Sequence, residues 1–205
     1  MTNLLRAIVL SGFAAAFTGC SILSNTQEPK TYFVLEVPPE TSPEFKSPIP
    51  KTLLLGAANG GIFIASPRIL FSDTAGTRSY YQYSFWTEPP TLQFIKLLLA
   101  KFEYCKGFQV VSRSSNGVVG DYQLVTEIQE FYQDRTVSPP VARVVVAADL
   151  IAAIDRKVIA SRSFSQNYPL NSDTAAGAAG ALSKATDKML DDLIKWAVES
   201  VPPGE

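Results

Sequence analysis

Of the side chains that carry chemistry in proteins, this sequence offers two cysteines, 18 basic residues, 19 acidic residues and no histidine. The lack of histidine removes imidazole acid–base catalysis, Ser-His-Asp and Cys-His nucleophiles, and nearly all familiar zinc sites. Two cysteines, Cys20 and Cys105, permit at most one disulfide and cannot build a Cys-rich metal site. Asp191 and Asp192 are adjacent acids, but neighbours on a helix point about 100° apart, so the pair reads as a solvated face. Asp155 belongs to a turn, and Asp149 is a polar position in an apolar strand that the strand's outward face explains. Gly56, Gly60, Gly61, Gly117 and Gly120 miss the spacing of a phosphate-binding loop, and no G-x-S-x-G elbow occurs. With no motif for catalysis, metal or cofactor, the informative group is Cys20. Its sulfur has three readings: packed in a core, paired in a disulfide, or bonded to a lipid.

The residues around Cys20 favour the third. Met1–Arg6 carries one basic side chain, and Ala7–Phe17, AIVLSGFAAAF, is apolar over the length of a signal-peptide core. That run is too short for a spanning helix, which takes about 20 residues, and the chain turns polar at SNTQEPK. Thr18-Gly19 before Cys20 resembles the lipobox of bacterial lipoproteins, with Phe17 where leucine is usual. The resemblance implies removal of residues 1–19, a thioether-linked diacylglycerol on Cys20 and further acyl chains of the palmitate kind. One chain anchors only marginally, whereas two or three are effectively permanent. Ser21, where aspartate favours inner-membrane retention, implies delivery to the outer membrane. Residues 20–30 then form a lipidated tether of at most about 35 Å. Cys105, left without a partner, reads as a small core hydrophobe.

The elements that must position any site follow from periodicity. Thr31–Val37 reads as a first strand, followed by a loop crowded with Pro38, Pro39, Pro43, Pro48 and Pro50. Lys51–Ala57 is a second strand, ending at the turn signal Asn59-Gly60-Gly61, and Ile62–Phe71, with Pro67, is an edge or broken strand. Ser79–Trp86 leads through Thr87-Glu88-Pro89-Pro90 into a helix with Leu92, Ile95, Leu98, Leu99 and Phe102 on one face. Lys96, Lys101 and Glu103 point elsewhere, and Gly107 suits the left-handed stop. Phe108–Ser112 and the alternating stretch from Tyr122 are strands, and Val141–Ile154 with Val158–Gln166 forms a hairpin turning at Asp155-Arg156-Lys157. After capping residues Asn171-Ser172-Asp173 comes a last helix with the stripe Leu182, Thr186, Met189, Leu193, Trp196 and Ala197. The expected fold is α+β: a mixed, mostly antiparallel sheet with two amphipathic helices packed on one face. Residues 31–205 read as one domain. A net charge of −1 without a basic stripe argues against nucleic acid.

SYYQYSFW, residues 79–86, has five aromatics in eight positions. Tyr81, Tyr83 and Phe85 share one strand face while Tyr80 and Trp86 do not join them, so part of the block should be exposed or serve another surface. Sheet packing explains such a block, and so does a partner surface, where Tyr and Trp are enriched.

The order of these pieces resembles a known family. A lipobox cysteine, YFVLEV, YYQYSFWTEPPTLQFIKLL, DYQLVTEIQEFYQD and the hairpin around DRKVIASRSFS are similar to the ABC-type transport auxiliary lipoprotein component family, which includes the PqiC-like outer-membrane lipoproteins. The sequence departs from the family's pattern between Gly60 and Gly76. The resemblance implies a periplasm-facing domain on the outer membrane of a bacterial cell, associated with an ABC permease and ATPase and an MCE-domain protein that move lipids. It implies no catalytic residue and no cofactor beyond the covalent lipid. Tyr81, Tyr83, Phe85, Trp86 and Glu88 are its motif or partner-binding positions. Two other readings stand beside it: a module that itself holds a lipid between sheet and helices, and an envelope enzyme. The sequence fixes neither cargo nor oligomeric state and is compatible with a homo-oligomer.

Overall fold

A computed structural model of the chain describes residues 28–202. The signal segment and Cys20 lie outside the described residues. The strands are β1 (Thr31–Phe33), β2 (Ile49–Gly60), β3 (Arg68–Ser72), β4 (Ser79–Trp86), β5 (Phe108–Arg113), β6 (Tyr122–Asp134), β7 (Val141–Ala152) and β8 (Val158–Pro169). The helices are α1 (Pro90–Cys105) and α2 (Ala175–Glu199).

All eight strands join one mixed sheet. Its longest ladders are antiparallel: β6 pairs β7 from Tyr122↔Ala152 to Asp134↔Val141, and β7 pairs β8 from Val141↔Pro169 to Ile151↔Val158. The other edge of β6 is shared. β2 runs parallel to its first half, and β3 runs parallel to its last two residues. β5 extends the sheet beyond β2, and β4 and then β1 extend it beyond β3.

Alternation decides which face is covered. Ala142, Val144, Val146, Ala148 and Leu150 of β7 are buried, as are Tyr122, Leu124 and Ile128 of β6 and Leu53 and Leu55 of β2. Both helices close on this face. The stripe Leu182, Thr186, Met189, Leu193, Trp196, Ala197 of α2 is buried throughout. Phe94, Ile95, Leu98, Phe102 and Cys105 of α1 join the same core. Burial raises the Cys105 thiol pKa, as fits a packing sulfur.

Several sequence expectations need correction. β2 does not stop at Ala57; after a register shift it continues through Asn59↔Glu127 and Gly60↔Ile128. Gly60 marks a close approach instead of a turn, since a Cβ there would lie 3.1 Å from Thr91 Cγ2. Ile62–Phe71 is broken, with strand only from Arg68, and that strand, β3, is not an edge, because it sits between β4 and β6. The left-handed stop of α1 is Lys106, φ 54°. Gly107 is required by packing: a Cβ would stand 2.7 Å from Val198 Cγ2. The cap of α2 is Thr174, whose side chain accepts from Gly177 N at 3.1 Å.

The largest departure is the segment from Val34 to Pro48. Only Thr31–Phe33 is strand, yet Leu35 and Val37 are core residues. This segment is a strap tied to both helices. Leu35 N donates to Gln93 Oε1 (3.0 Å), Glu36 N to Ser183 Oγ (3.2 Å), and Phe45 N to the Cys105 carbonyl (3.1 Å). α1 is therefore covered on two sides, by the sheet and by the strap. Its buried arc is rotated from the expected stripe, so that Leu92 is exposed while Gln93 and Lys101 are buried.

Candidate functional site

The aromatic block does not form one site; the geometry of β4 distributes it. β4 pairs Ser79 with Phe71 and Tyr80 with Leu70, then shifts register before Phe85 meets Arg68. The irregularity sends neighbouring aromatics to different surroundings.

Trp86 faces the core. Its ring lies 5.9 Å from that of Phe131, edge to face, and it is almost fully buried. Its backbone N–H donates to the Pro67 carbonyl (2.8 Å), while its indole Nε1 finds no acceptor among the described residues. Thr87 N donates to the Phe33 carbonyl (2.9 Å), so Trp86-Thr87 joins β1, β4 and the start of α1. Glu88 is half exposed and receives Lys96 Nζ at 2.6 Å, an ion pair in water.

Tyr81 is half-buried and holds a polar cluster. Its hydroxyl donates to Gln133 Oε1 (2.5 Å) and accepts from an Arg135 guanidinium nitrogen (2.7 Å). Arg135 Nε and Gln133 Nε2 both donate to Asp173 Oδ1, at 2.8 and 2.5 Å. The Arg135 guanidinium also approaches Asp73 at 3.3 Å and lies over the Phe71 ring. Burial raises the Tyr81 pKa, against the pull of Arg135. Burial works to lower Arg135, and Tyr81, Asp73 and Asp173 outweigh it. The cluster fastens the ends of β3, β4 and β6 to the residues just before α2. Nothing in the sequence pattern connects these positions, because they lie 38 to 62 residues apart.

Phe85 takes the opposite face. Its ring stacks on Tyr32 at 5.6 Å, and Lys30 Nζ lies 5.7 Å from its centre. Arg68, its partner across the ladder, lies 3.9 Å over the Tyr80 ring. Tyr83 is half-buried.

The acids that looked solvated include two partly buried partners of a fully buried lysine. Lys101 has no exposed surface, and its Nζ lies 2.7 Å from Asp187 and 2.6 Å from Asp191. Thr41 Oγ1 of the strap accepts from the same ammonium (3.0 Å) and sits 2.8 Å from Asp187. Burial pushes the Asp191 carboxyl up against the attraction of Lys101. Asp192 does stay outside, accepting from Gln166 at 2.7 Å. Asp149 points outward and accepts from Ser161 Oγ at 2.5 Å. On β6, burial pushes the Asp134 carboxyl up, but hydrogen bonds from Thr136 and Arg143 outweigh it and hold it below the usual range. A Lys or Gln on a helix flank is no signal of burial by itself. The apolar Leu35 and Val37 upstream were the available hint that a second surface covers α1.

Two clefts border α1 and α2. One of about 230 Å³ lies between β2 and α1, lined by Leu55, Ala58, Thr91, Leu92 and Ile95. An open groove of about 520 Å³ lies between the strap and α2, along Tyr32, Val34, Ala176, Gly180 and Lys184. Among the described residues no group of three or more Cys, Asp or Glu could hold a metal ion.

Residues 35–193 match the family model described as ABC-type transport auxiliary lipoprotein component. The crystal structure of protein XCC0632 from Xanthomonas campestris is similar over 83% of this chain and 96% of its own, with 27% identity and a TM-score of 0.75. A second crystallised, uncharacterized protein shares the fold alone: 13% identity, 82% of this chain, 99% of its own, TM-score 0.66. No curated protein matches the sequence. The match begins at the buried Leu35 of the strap and ends at Leu193 in the core stripe of α2.

Proposed function

This chain belongs to the ABC-type transport auxiliary lipoprotein component family, and on that premise we propose a specific role within it. It is an accessory lipoprotein held at the outer membrane through acyl chains on Cys20. It works without catalysis, docking an MCE-domain protein and thereby an ABC permease and ATPase that move lipids or related hydrophobic compounds. The family match over residues 35–193 carries the transport part. The use of the charged groups supports the non-catalytic part. Lys101 is taken by Asp187 and Asp191, Arg135 by Asp173 and Asp73, and Asp134 by Arg143 and Thr136. Each set ties elements of the fold together. Asn or Ala at Asp173 should therefore cost stability and leave transport by the remaining folded protein intact.

The reading in which the domain itself carries lipid asks more of its cavities. Pockets for drug-sized ligands run about 300–1,000 Å³, and a two-chain lipid is larger still. The cleft beside α1 holds about 230 Å³, and the groove beside α2, about 520 Å³, is open to solvent. These volumes suit a side chain of a partner better than a lipid. Co-isolation tests the docking. Affinity-purified protein from detergent-solubilised envelopes should bring down the MCE-domain protein of the same transport system. Repeated recovery of the permease and ATPase without it, or of neither, removes the docking reading. Lipid retained through purification, seen by native mass spectrometry, would support the carrier instead.

A further inference from the structure

The outer face of the sheet changes character along its length. β1 runs parallel to β4, β4 antiparallel to β3, and β3 parallel to β6. β1 therefore runs against β6, and the chain before Thr31 arrives from the side of the sheet where β6 ends. Beside this arrival lies a continuous aromatic and cationic surface. Tyr32, 60% exposed, stacks on Phe85; Lys30 covers Phe85; Arg68, opposite Phe85, covers the exposed Tyr80. Lys30 and Arg68 have no carboxylate within ion-pair distance among the described residues. Arg78, over the Tyr132 ring, shares Glu130 with Arg143 at 3.9 and 3.7 Å. The opposite end of the sheet differs. There Val119 is 91% exposed just before β6, and Ile154 is 96% exposed in the turn between β7 and β8. That end sets these aliphatic side chains beside Lys51, which pairs with Asp121 at 3.5 Å, and beside Arg156 and Lys157 of the same turn.

We infer that the Tyr32–Phe85–Tyr80 face, with Lys30 and Arg68, rests on an anionic bilayer surface beside the lipidated tether, leaving Val119 and Ile154 directed away from the membrane. Aromatic rings with a polar edge settle at headgroup depth, and cations near the surface add attraction to anionic lipid. The eleven residues from Cys20 to Lys30 are long enough to lay this face on the membrane and short enough to keep it there at high effective concentration. The inference rests on the proposal that Cys20 carries the anchor.

The test supplies the anchor chemically, so that the surface is tested apart from lipidation. The chain from Cys20 onward is coupled through that thiol to a maleimide lipid in vesicles of phosphatidylcholine with phosphatidylglycerol. Cys105, fully buried, is protected. Tyr32→Trp places an exposed indole in the face and Val119→Trp one at the far end, while Trp86 and Trp196 are buried. With brominated phospholipids in the bilayer, emission of Tyr32→Trp should fall about twofold and that of Val119→Trp should hold. Lys30→Glu with Arg68→Glu in the Tyr32→Trp background should restore most of the emission. Quenching at residue 119 alone, equal quenching at both, or none at either overturns the inference and leaves the Cys20 anchor standing. A change at residue 32 that requires added MCE-domain protein and not lipid assigns the face to a protein and equally overturns it. Failure of Cys20 to be lipidated in cells would instead remove the anchor reading itself.

Discussion

The two sides of the sheet are held by different physics. On one side β6, β7 and β8 form ladders of eleven and twelve paired positions over α2; the covered face alternates strictly along β7, and along β6 as far as Ile128. A one-residue slip there would turn the buried Val and Leu of β7 outward, so the apolar pattern holds the register over most of the ladder. On the other side β1 and β3 have three and five residues, and the strap has no ladder beyond Phe33. Elements that short cannot be placed by alternation. Polar pins place them: Gln93 to Leu35, Ser183 to Glu36, and Lys101 to Thr41, Asp187 and Asp191. Where apolar burial is long, specificity comes from the pattern; where it is short, from buried hydrogen bonds and ions.

Substitutions sharpen that contrast. Lys101→Met should be the most damaging pin removal, about 3 kcal/mol by urea unfolding, because two partly buried carboxylates lose their cation. Adding Asp187→Asn and Asp191→Asn should recover much of the loss. If Lys101→Met alone is neutral, the pins do not hold the strap. At the end of β6, Asp134→Asn should cost about 1.5–3 kcal/mol near neutral pH, as for hydrogen bonds to a charged group. Because the folded-state pKa of Asp134 lies below its unfolded value, its contribution is complete above that unfolded value. The contribution fades as pH falls through the lowered value. A stability profile in acid should therefore be flatter for Asp134→Asn than for wild type, and an unchanged slope would assign the acid loss elsewhere.

Gln93→Ala should cost about 1–3 kcal/mol, since Leu35 N would be left buried without an acceptor. Proteolysis within residues 36–48 should accelerate with it, which a loss confined to α1 would not produce. The smallest effect belongs to Glu88→Gln. Its pair with Lys96 is exposed on both sides, and such pairs contribute about 0–1 kcal/mol. A large effect there on transport with unchanged stability would mark Glu88 as a docking residue.

The same contrast explains what the sequence made legible. β4 was bounded by its aromatic run and α2 by a stripe of period 3.6, both signals local to the element. The long hairpin of β7 and β8 shows in its Val- and Ala-rich run and the turn at Asp155-Arg156-Lys157. The burial of Lys101, the rotation of α1, and the role of Gly107 against Val198 depend on segments 60 to 91 residues distant. A helix reads as one-sided from its own sequence, and a strap that covers its second side is invisible until the chain is folded. The division of the aromatic block into a core tryptophan, a polar Tyr81 cluster and an outer Phe85 face likewise follows from a register shift in β4 that no local pattern encodes. The proposed lipidation of Cys20 is the converse case, since it rests on flanking residues alone and on no tertiary contact.

The state of Cys20 in the cell tests the proposed anchor most directly. Intact mass and N-terminal fragmentation of protein taken from membranes should show a first residue at Cys20 carrying a diacylglyceryl thioether. A mature chain that begins at another position, or one with an unmodified sulfhydryl at residue 20, would contradict it.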